Sequence, residues 1–541
     1  MTVAELVGRA LAGFGADHVF GVVGSGNFHV TNAMVAAGAR FVAARHEGGA
    51  ATMADAYART SGTLGVLSVH QGCGLTNAMT GITEAAKSRT PMIVLAADTA
   101  GAAVRSNFRV DQDGLATAVG AVSERVYGPA TAIDDVVRAC RRAVEGRRTV
   151  VLNLPLDVQA APASGADVPA ILPPQVANPD PAAVEALARV LLTAQRPVFI
   201  AGRGARHARA ELRRLASTCG ALLATSAVVN GLFAGDPWSL GISGGFATPL
   251  AAELIGSADL IVGWGASLNM WTMRHGALIA PDATVVQVDL EPDAIGAHRP
   301  VDLGVVGDVA RTAEALVDLV ASADGYRQPA IRERIATEGR WRDVRHDDVS
   351  TVDRIDPRTL SIALDDVLPD ERVVAVDSGN FMGYPAAYLS VPDERGFCFT
   401  QAYQSIGLGL ATAIGAALAQ PQRLPVAALG DGGALMSIAE VDTVVRLGLP
   451  MAIVIYNDEA YGAEVHHFGP HGYNLDTVVF PETDIAAIGR GFGADGITVR
   501  KPSDVDDLRD WLAGPRDGPI VVDAKVTSGP SWWLEEAFKG H

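Results

Sequence analysis

The chain has 541 residues, 49% hydrophobic and 19% charged, enough to bury roughly three or four ordinary cores. With 43 Lys and Arg against 61 Asp and Glu, its net charge of −18 argues against nucleic acid and anionic membrane partners. A small carboxylate substrate stays compatible with that charge, because helix N-termini supply local donors. The start, Met1-Thr2-Val3-Ala4-Glu5, has no charged n-region or apolar h-region, and no apolar run of about 20 residues follows. A cytoplasmic protein is expected. Cys73, Cys140, Cys219 and Cys398 lack CxxC spacing, so neither a disulfide framework nor a zinc site is signalled.

In chain order, the β-branched runs Val19 to Val23, Thr63 to Val69, Pro91 to Leu95 and Val150 to Leu154 alternate with Ala-rich stretches of helical period. The Pro-, Ala- and Gly-rich segment Ala160 to Pro181 is expected to be a linker. A second unit opens with the strand Pro197 to Ala201 and its turn at Gly202, then continues through Leu260 to Gly263 and Thr284 to Asp289. The charged run Arg332 to Asp348 reads as a solvated helix and connector. A third unit follows, with a helix over Arg358 to Leu368, strands over Val373 to Asp377, Val426 to Leu429 and Met451 to Tyr456, and a helix over roughly Ser437 to Leu447. The expectation is three tandem doubly wound α/β domains with mostly parallel sheets, over residues 1–165, 180–330 and 356–541.

Gly430-Asp431-Gly432-Gly433 stands between a buried strand and a helix, where free backbone N–H groups can cradle an anion. By itself this could equally be a tight turn. The next strand ends in Asn457-Asp458-Glu459-Ala460-Tyr461, so Asp431 and Asp458 fall at C-terminal ends of neighbouring parallel strands, the edge where open α/β sheets bind ligands. Two carboxylates there can share a Mg²⁺ ion, whose octahedral oxygen shell a diphosphate completes.

These residues resemble the thiamine diphosphate enzyme family, in particular its pyruvate decarboxylase and acetolactate synthase branch, marked by Gly-Asp-Gly and, about two dozen residues later, Asn-Asn. Asp458 stands at the second Asn, 27 residues after Asp431. The resemblance implies Mg²⁺ ligation by the side chains of Asp431 and Asp458 and the carbonyl of Ala460. Asp in place of Asn adds a negative charge that attracts the metal and repels the diphosphate. The segment Phe41 to Arg59 is similar to the family's strand-to-helix stretch carrying its near-universal acid, which maps to Glu47. That acid is implied to work beside pyrimidine N1′, favouring the imino form that deprotonates the thiazolium. His46 beside it is read as structural. In Gln404-Ser405-Ile406-Gly407, Ile406 matches the wedge that bends the coenzyme, and Gln404 offers its carbonyl to N4′. Ser378 and Gly379 are expected to contribute backbone contacts to the pyrimidine, and Gly430, Gly432, Gly433 and Tyr461 complete the coenzyme set. The three units then correspond to pyrimidine-binding, central and diphosphate-binding domains. Family sites form between subunits, so a homodimer is the minimum unit and a homotetramer the expected assembly.

For the substrate pocket the resemblance marks Ser25, His70, Gln112 and Glu464. Ser25 could also be a turn former, His70 a structural residue, and Glu464 could face solvent. His466, His467 and His471 are not read as a metal site, because Mg²⁺ wants oxygen. Trp532 and Trp533 close over the site as a lid or simply pack, and Arg203 meets a nucleotide phosphate or faces solvent; FAD is not expected. The reaction implied is decarboxylation of a 2-oxo acid, or carboligation through an enamine. Two alternatives remain: a 2-hydroxyacyl-CoA or oxalyl-CoA lyase, and a catalytically silent regulatory or binding subunit.

Overall fold

The computed structural model describes residues 1–163 and 176–534. The expected linker lies for its greater part outside them, as does the end of the third domain from residue 535. Three six-stranded sheets account for the fold. The first holds β1 (His18–Gly21), β2 (Arg40–Ala43), β3 (Gly65–Val69), β4 (Met92–Asp98), β5 (Val122–Arg125) and β6 (Thr149–Pro155), in the order β2-β1-β3-β4-β6-β5. The second holds β7 (Pro197–Ala201), β8 (Leu222–Thr225), β9 (Ser239–Ile242), β10 (Leu260–Trp264), β11 (Thr284–Asp289) and β12 (Leu303–Val306), in the order β12-β11-β10-β7-β8-β9. The third holds β13 (Arg372–Val376), β14 (Phe397–Phe399), β15 (Leu424–Gly430), β16 (Ala452–Asn457), β17 (Asp495–Val499) and β18 (Ile520–Lys525), in the order β14-β13-β15-β16-β18-β17.

All the strand pairings are parallel. Helices cover both faces of such sheets, so their strands read as continuous apolar runs rather than alternating ones, as β6 and β16 do with every residue buried. The first and third sheets have the same strand order. Each has a switch point near its middle, between β1 and β3 and between β13 and β15, and doubly wound folds place their ligands in such a crevice.

The outer domains also pack on each other through the helices Glu47–Ser61 and Gly409–Ala419. Small residues permit the close approach: a Cβ on Gly415 would stand 2.2 Å from the carbonyl oxygen of Met53. The run from Arg332 begins inside the helix Pro329–Glu338, whose Arg334 pairs with Glu253, while Arg342 reaches Asp365 and Asp366. Exposed pairs of this kind add little stability. Among the described residues no helix is long and apolar enough to cross a membrane.

Candidate active site

Parallel register brings Gly430 beside Tyr456, so the residues that follow β15 and β16 emerge side by side. Asp431 opens the short helix Asp431–Met436, and Asp458 follows the end of β16. Asp431 is 6% exposed. Burial and then the Asp458 charge push its carboxyl up to about 7; Asp458 is pushed up to about 6, mainly by burial. Arg354, the cation that acts on Asp458, spends its guanidinium on Glu459 (2.7 Å) and the carbonyl of Val526 (3.2 Å). Asp431, buried, and Asp458, half-buried, form an oxygen-rich donor set that suits a hard divalent ion.

The turn beside them has room only for glycine. A Cβ on Gly432 would lie 2.5 Å from the Tyr461 ring, and one on Gly433 would lie 2.3 Å from the Asp377 carboxylate. A cavity of about 1220 Å³ opens over this edge. It is lined by Ser378 and Gly379 after β13, Gln404 and Ile406 after β14, Gly430 to Gly433 after β15, and Asp458, Ala460, Tyr461 and Glu464 after β16.

Asp377, which the sequence reading did not single out for a role of its own, organises this edge. Its fully buried carboxylate accepts from the N–H groups of Ser378 (2.8 Å), Gly407 (3.0 Å) and Leu408 (3.2 Å). Burial pushes it up to about 6. It thereby fixes the turn after Ile406, where Gln404 (φ 59°) and Gly407 (φ 86°) both have left-handed backbone. A non-glycine residue held there is strained, and such strain concentrates at ligand-binding positions. The available signal was an Asp closing a buried strand just before Ser-Gly.

A second cluster lies at the matching strand ends of the N-terminal domain. Ser25 follows β1, Glu47 opens the helix after β2, and His70 follows β3. Ser25 Oγ lies 3.4 Å from His70 Nε2. His70 Nδ1 is 2.9 Å from the Gln71 carbonyl, an acceptor, so Nδ1 carries the proton and Nε2 is left to accept or release one. Glu47 accepts from Asn77 (3.1 Å), and His46, the residue read as structural, caps the same helix by accepting from Gly48 N–H (3.0 Å). None of Ser25, Glu47 and His70 lines the cavity of Asp431. Within one chain the candidate residues thus form two clusters, each at the crevice of its own sheet.

Gln112 departs from its expected place. It is 2% exposed, and its amide is used up by Gly72 N–H (2.9 Å), the Ala97 carbonyl (3.0 Å) and Asn153 (2.8 Å). It supports the His70 loop and does not face a substrate. The tryptophans pack rather than forming a free lid: Trp532 donates to the Gly245 carbonyl (3.0 Å) and packs at a tilt against Trp341, while Trp533 is buried beside Phe246. Arg203 does not simply face solvent. It lines the same cavity with no hydrogen bond or ion pair among the described residues, and burial lowers its pKa to about 9. His466 contacts Ser528 (3.2 Å), His471 bonds the His467 carbonyl (2.9 Å), and no group of three or more His, Cys, Asp or Glu placed to hold a metal occurs among the described residues.

Fold and site together define a doubly wound α/β protein with two carboxylates and a glycine-rich turn at the crevice of its third sheet. Family models agree along the chain: residues 1–116 match the N-terminal TPP binding domain of thiamine pyrophosphate enzymes, 184–316 their central domain and 377–524 their C-terminal TPP binding domain. The chain is 28% identical over 532 residues to the probable sulfoacetaldehyde acetyltransferase of Rhizobium meliloti, spanning 93% of this chain and 90% of that protein. It is 29% identical over 541 residues to the acetolactate synthase large subunit of Parasynechococcus marenigrum, spanning 96% and 86%. It is 30% identical over 532 residues to the probable 2-ketoarginine decarboxylase of Pseudomonas aeruginosa, spanning 95% and 92%.

The chain belongs to the thiamine pyrophosphate enzyme family. It is an enzyme that acts on carbon–carbon bonds next to a carbonyl.

Proposed function

We propose that this protein is a thiamine diphosphate- and Mg²⁺-dependent 2-oxo acid decarboxylase or acetolactate synthase-like carboligase, acting in the cytoplasm as a homodimer at least and a homotetramer by expectation. The observation that carries the reading is the carboxyl pair of buried Asp431 and half-buried Asp458 beside a turn in which glycine fits best. Asp431, Asp458 and the Ala460 carbonyl would hold Mg²⁺, and the N–H groups around Gly432 and Gly433 would receive the diphosphate. When bound, thiamine diphosphate supplies a carbon nucleophile and an electron sink.

The chain's own residues do the rest. Ser378, Gly379 and the Gln404 carbonyl would hold the pyrimidine, Ile406 would support the bend of the coenzyme, and Tyr461 would contact the diphosphate; all line the one cavity. Glu47 holds a proton toward the pyrimidine. Because Glu47, Ser25 and His70 do not line their own chain's cavity, they are assigned to the cavity of a partner copy. There His70 Nε2, paired with Ser25, moves a proton to or from the reacting carbon, and Glu464 orients the oxo acid. Gln112 keeps its supporting role.

A second reading, cleavage of a 2-hydroxyacyl-CoA or oxalyl-CoA, is favoured by one observation: Lys87, Arg89, Arg147 and Arg203 also line this cavity. A panel of 2-oxo acids and acyl-CoA substrates with coenzyme and Mg²⁺, scored for CO₂ and for aldehyde or ketone, tests both. Product from 2-oxo acids supports the first reading and acyl-CoA cleavage the second. Inactivity on the whole panel contradicts both.

A further inference from the structure

The two outer domains hold each other by matching carboxylates. Glu84 lies on the helix Cys73–Lys87 that follows β3, is fully buried, and accepts from the backbone N–H groups of Ala402 (3.1 Å) and Tyr403 (2.6 Å). The next residue is Gln404. Glu440 opens the helix Glu440–Arg446 after β15, is 2% exposed, and accepts from the backbone N–H groups of Arg45 (3.0 Å) and His46 (3.1 Å). The next residue is Glu47. The relation is reciprocal: a helix after the third strand of one domain grips two consecutive amides after the second strand of the other, one residue ahead of a coenzyme-contacting position.

Further contacts fix each carboxylate. Arg59 reaches Glu84 at 2.8 Å and Asp55 at 2.6 Å while donating to the Phe399 carbonyl at 3.2 Å, so the segment entering Gln404 is held at both ends. Arg206 of the central domain donates to the Arg59 carbonyl. Thr443 donates to Glu440 (2.7 Å), and a Cβ on Gly49 would stand 2.5 Å from Glu440 Oε1, so the Glu47 helix rests directly on this carboxylate. Charged acceptors of backbone N–H are strong and short, and in a buried setting they fix position as well as adding stability.

We propose that Glu84 and Glu440 are a reciprocal pair of positioning residues, Glu84 setting the Gln404–Ile406 turn and Glu440 setting Glu47 before any coenzyme binds. The coenzyme roles of Gln404 and Glu47 rest on the function proposed above; the preset geometry does not. Hydrogen exchange on the full-length, coenzyme-free protein, combined with coenzyme titration and steady-state kinetics, separates the two. Glu84→Gln is expected to speed exchange at residues 402–403 by about tenfold, leave 45–46 unchanged, and weaken coenzyme binding by a similar factor. Glu440→Gln is expected to speed exchange at 45–46 alone and lower kcat by about tenfold while coenzyme affinity holds. Asp55→Asn breaks the same ion cluster without touching the turn, so it should lower stability but leave exchange at 402–403 unchanged.

Equal effects of Glu84→Gln and Asp55→Asn on exchange and affinity would overturn the proposal, since the cluster would then be only a structural brace. If a variant does not fold, the wild-type protein decides: free exchange of these four amides without coenzyme refutes presetting, and protection supports it. Failure of the wild type to bind coenzyme would refute the proposed function, while the exchange result would still test the clamp.

Discussion

Asp458→Asn removes one of two like charges at the mouth of the cleft, and the surroundings of Asp458 set the sign and the order of magnitude of the effect. Asp458 is raised from 3.8 to about 6, so the folded chain binds that proton more tightly than the unfolded chain does. Stability from this group is therefore complete below about pH 4 and lost as pH climbs through about 6. Integrating that shift gives a penalty of about 1.5 kcal/mol at pH 5 and about 3 kcal/mol at pH 8 in the metal-free protein. Asparagine carries no such penalty, and its neutrality also eases ionisation of Asp431. The variant should thus be more stable than wild type, with the gap roughly doubling from pH 5 to pH 8. At pH 8 the C-terminal transition should rise by on the order of 6–12 °C. Calorimetric scans of both metal-free proteins at the two pH values measure the gap, and millimolar Mg²⁺ should narrow it at pH 8 by pairing with both wild-type carboxylates. A gap that is flat with pH, or a variant less stable at pH 8, would show that the cleft does not penalise the charged form of Asp458.

Glu47→Gln should lower kcat by about 10²-fold or more while coenzyme affinity and melting temperature hold, as steady-state kinetics beside a binding titration will read out. Gly433→Ala drives a methyl group to 2.3 Å from Asp377, so the turn must shift; a stability loss of about 1–3 kcal/mol and weaker coenzyme binding are expected in denaturant unfolding and fluorescence titration. Gln112→Leu leaves Gly72 N–H, the Ala97 carbonyl and the Asn153 amide without their partner, which should destabilise the fold by about 1–3 kcal/mol in urea titration. Unchanged stability with a raised KM would return Gln112 to the substrate pocket.

The sheets and the Asp431 edge were legible because the information is local. β-branched runs that are buried on both faces announce parallel strands, and Gly-Asp-Gly-Gly directly after one such run, with Asp458 directly after the next, places both acids at one rim. What escaped depends on contacts distant in sequence. Nothing around Gln112 shows that its amide turns inward to Ala97 and Asn153, and the packing of Trp532 against Trp341 joins segments far apart in the chain. Arg203 reads as a surface cation until the cavity wall is assembled around it. Glu84 was detectable in principle: a carboxylate among the apolar positions of the helix Cys73–Lys87 needs a buried partner, and Arg59, four residues after Asp55, supplies it. The further grip of Glu84 on Ala402 and Tyr403 had no sequence signal, because backbone N–H groups carry none.

The most direct measurement is calorimetric titration of the metal-stripped protein with thiamine diphosphate, in the presence of Mg²⁺ and again in the presence of a chelator. The account predicts one coenzyme bound per chain with Mg²⁺, none detectable with the chelator, and loss of binding in Asp431→Asn. Binding of equal strength with and without the metal, or no binding in either condition, would contradict it.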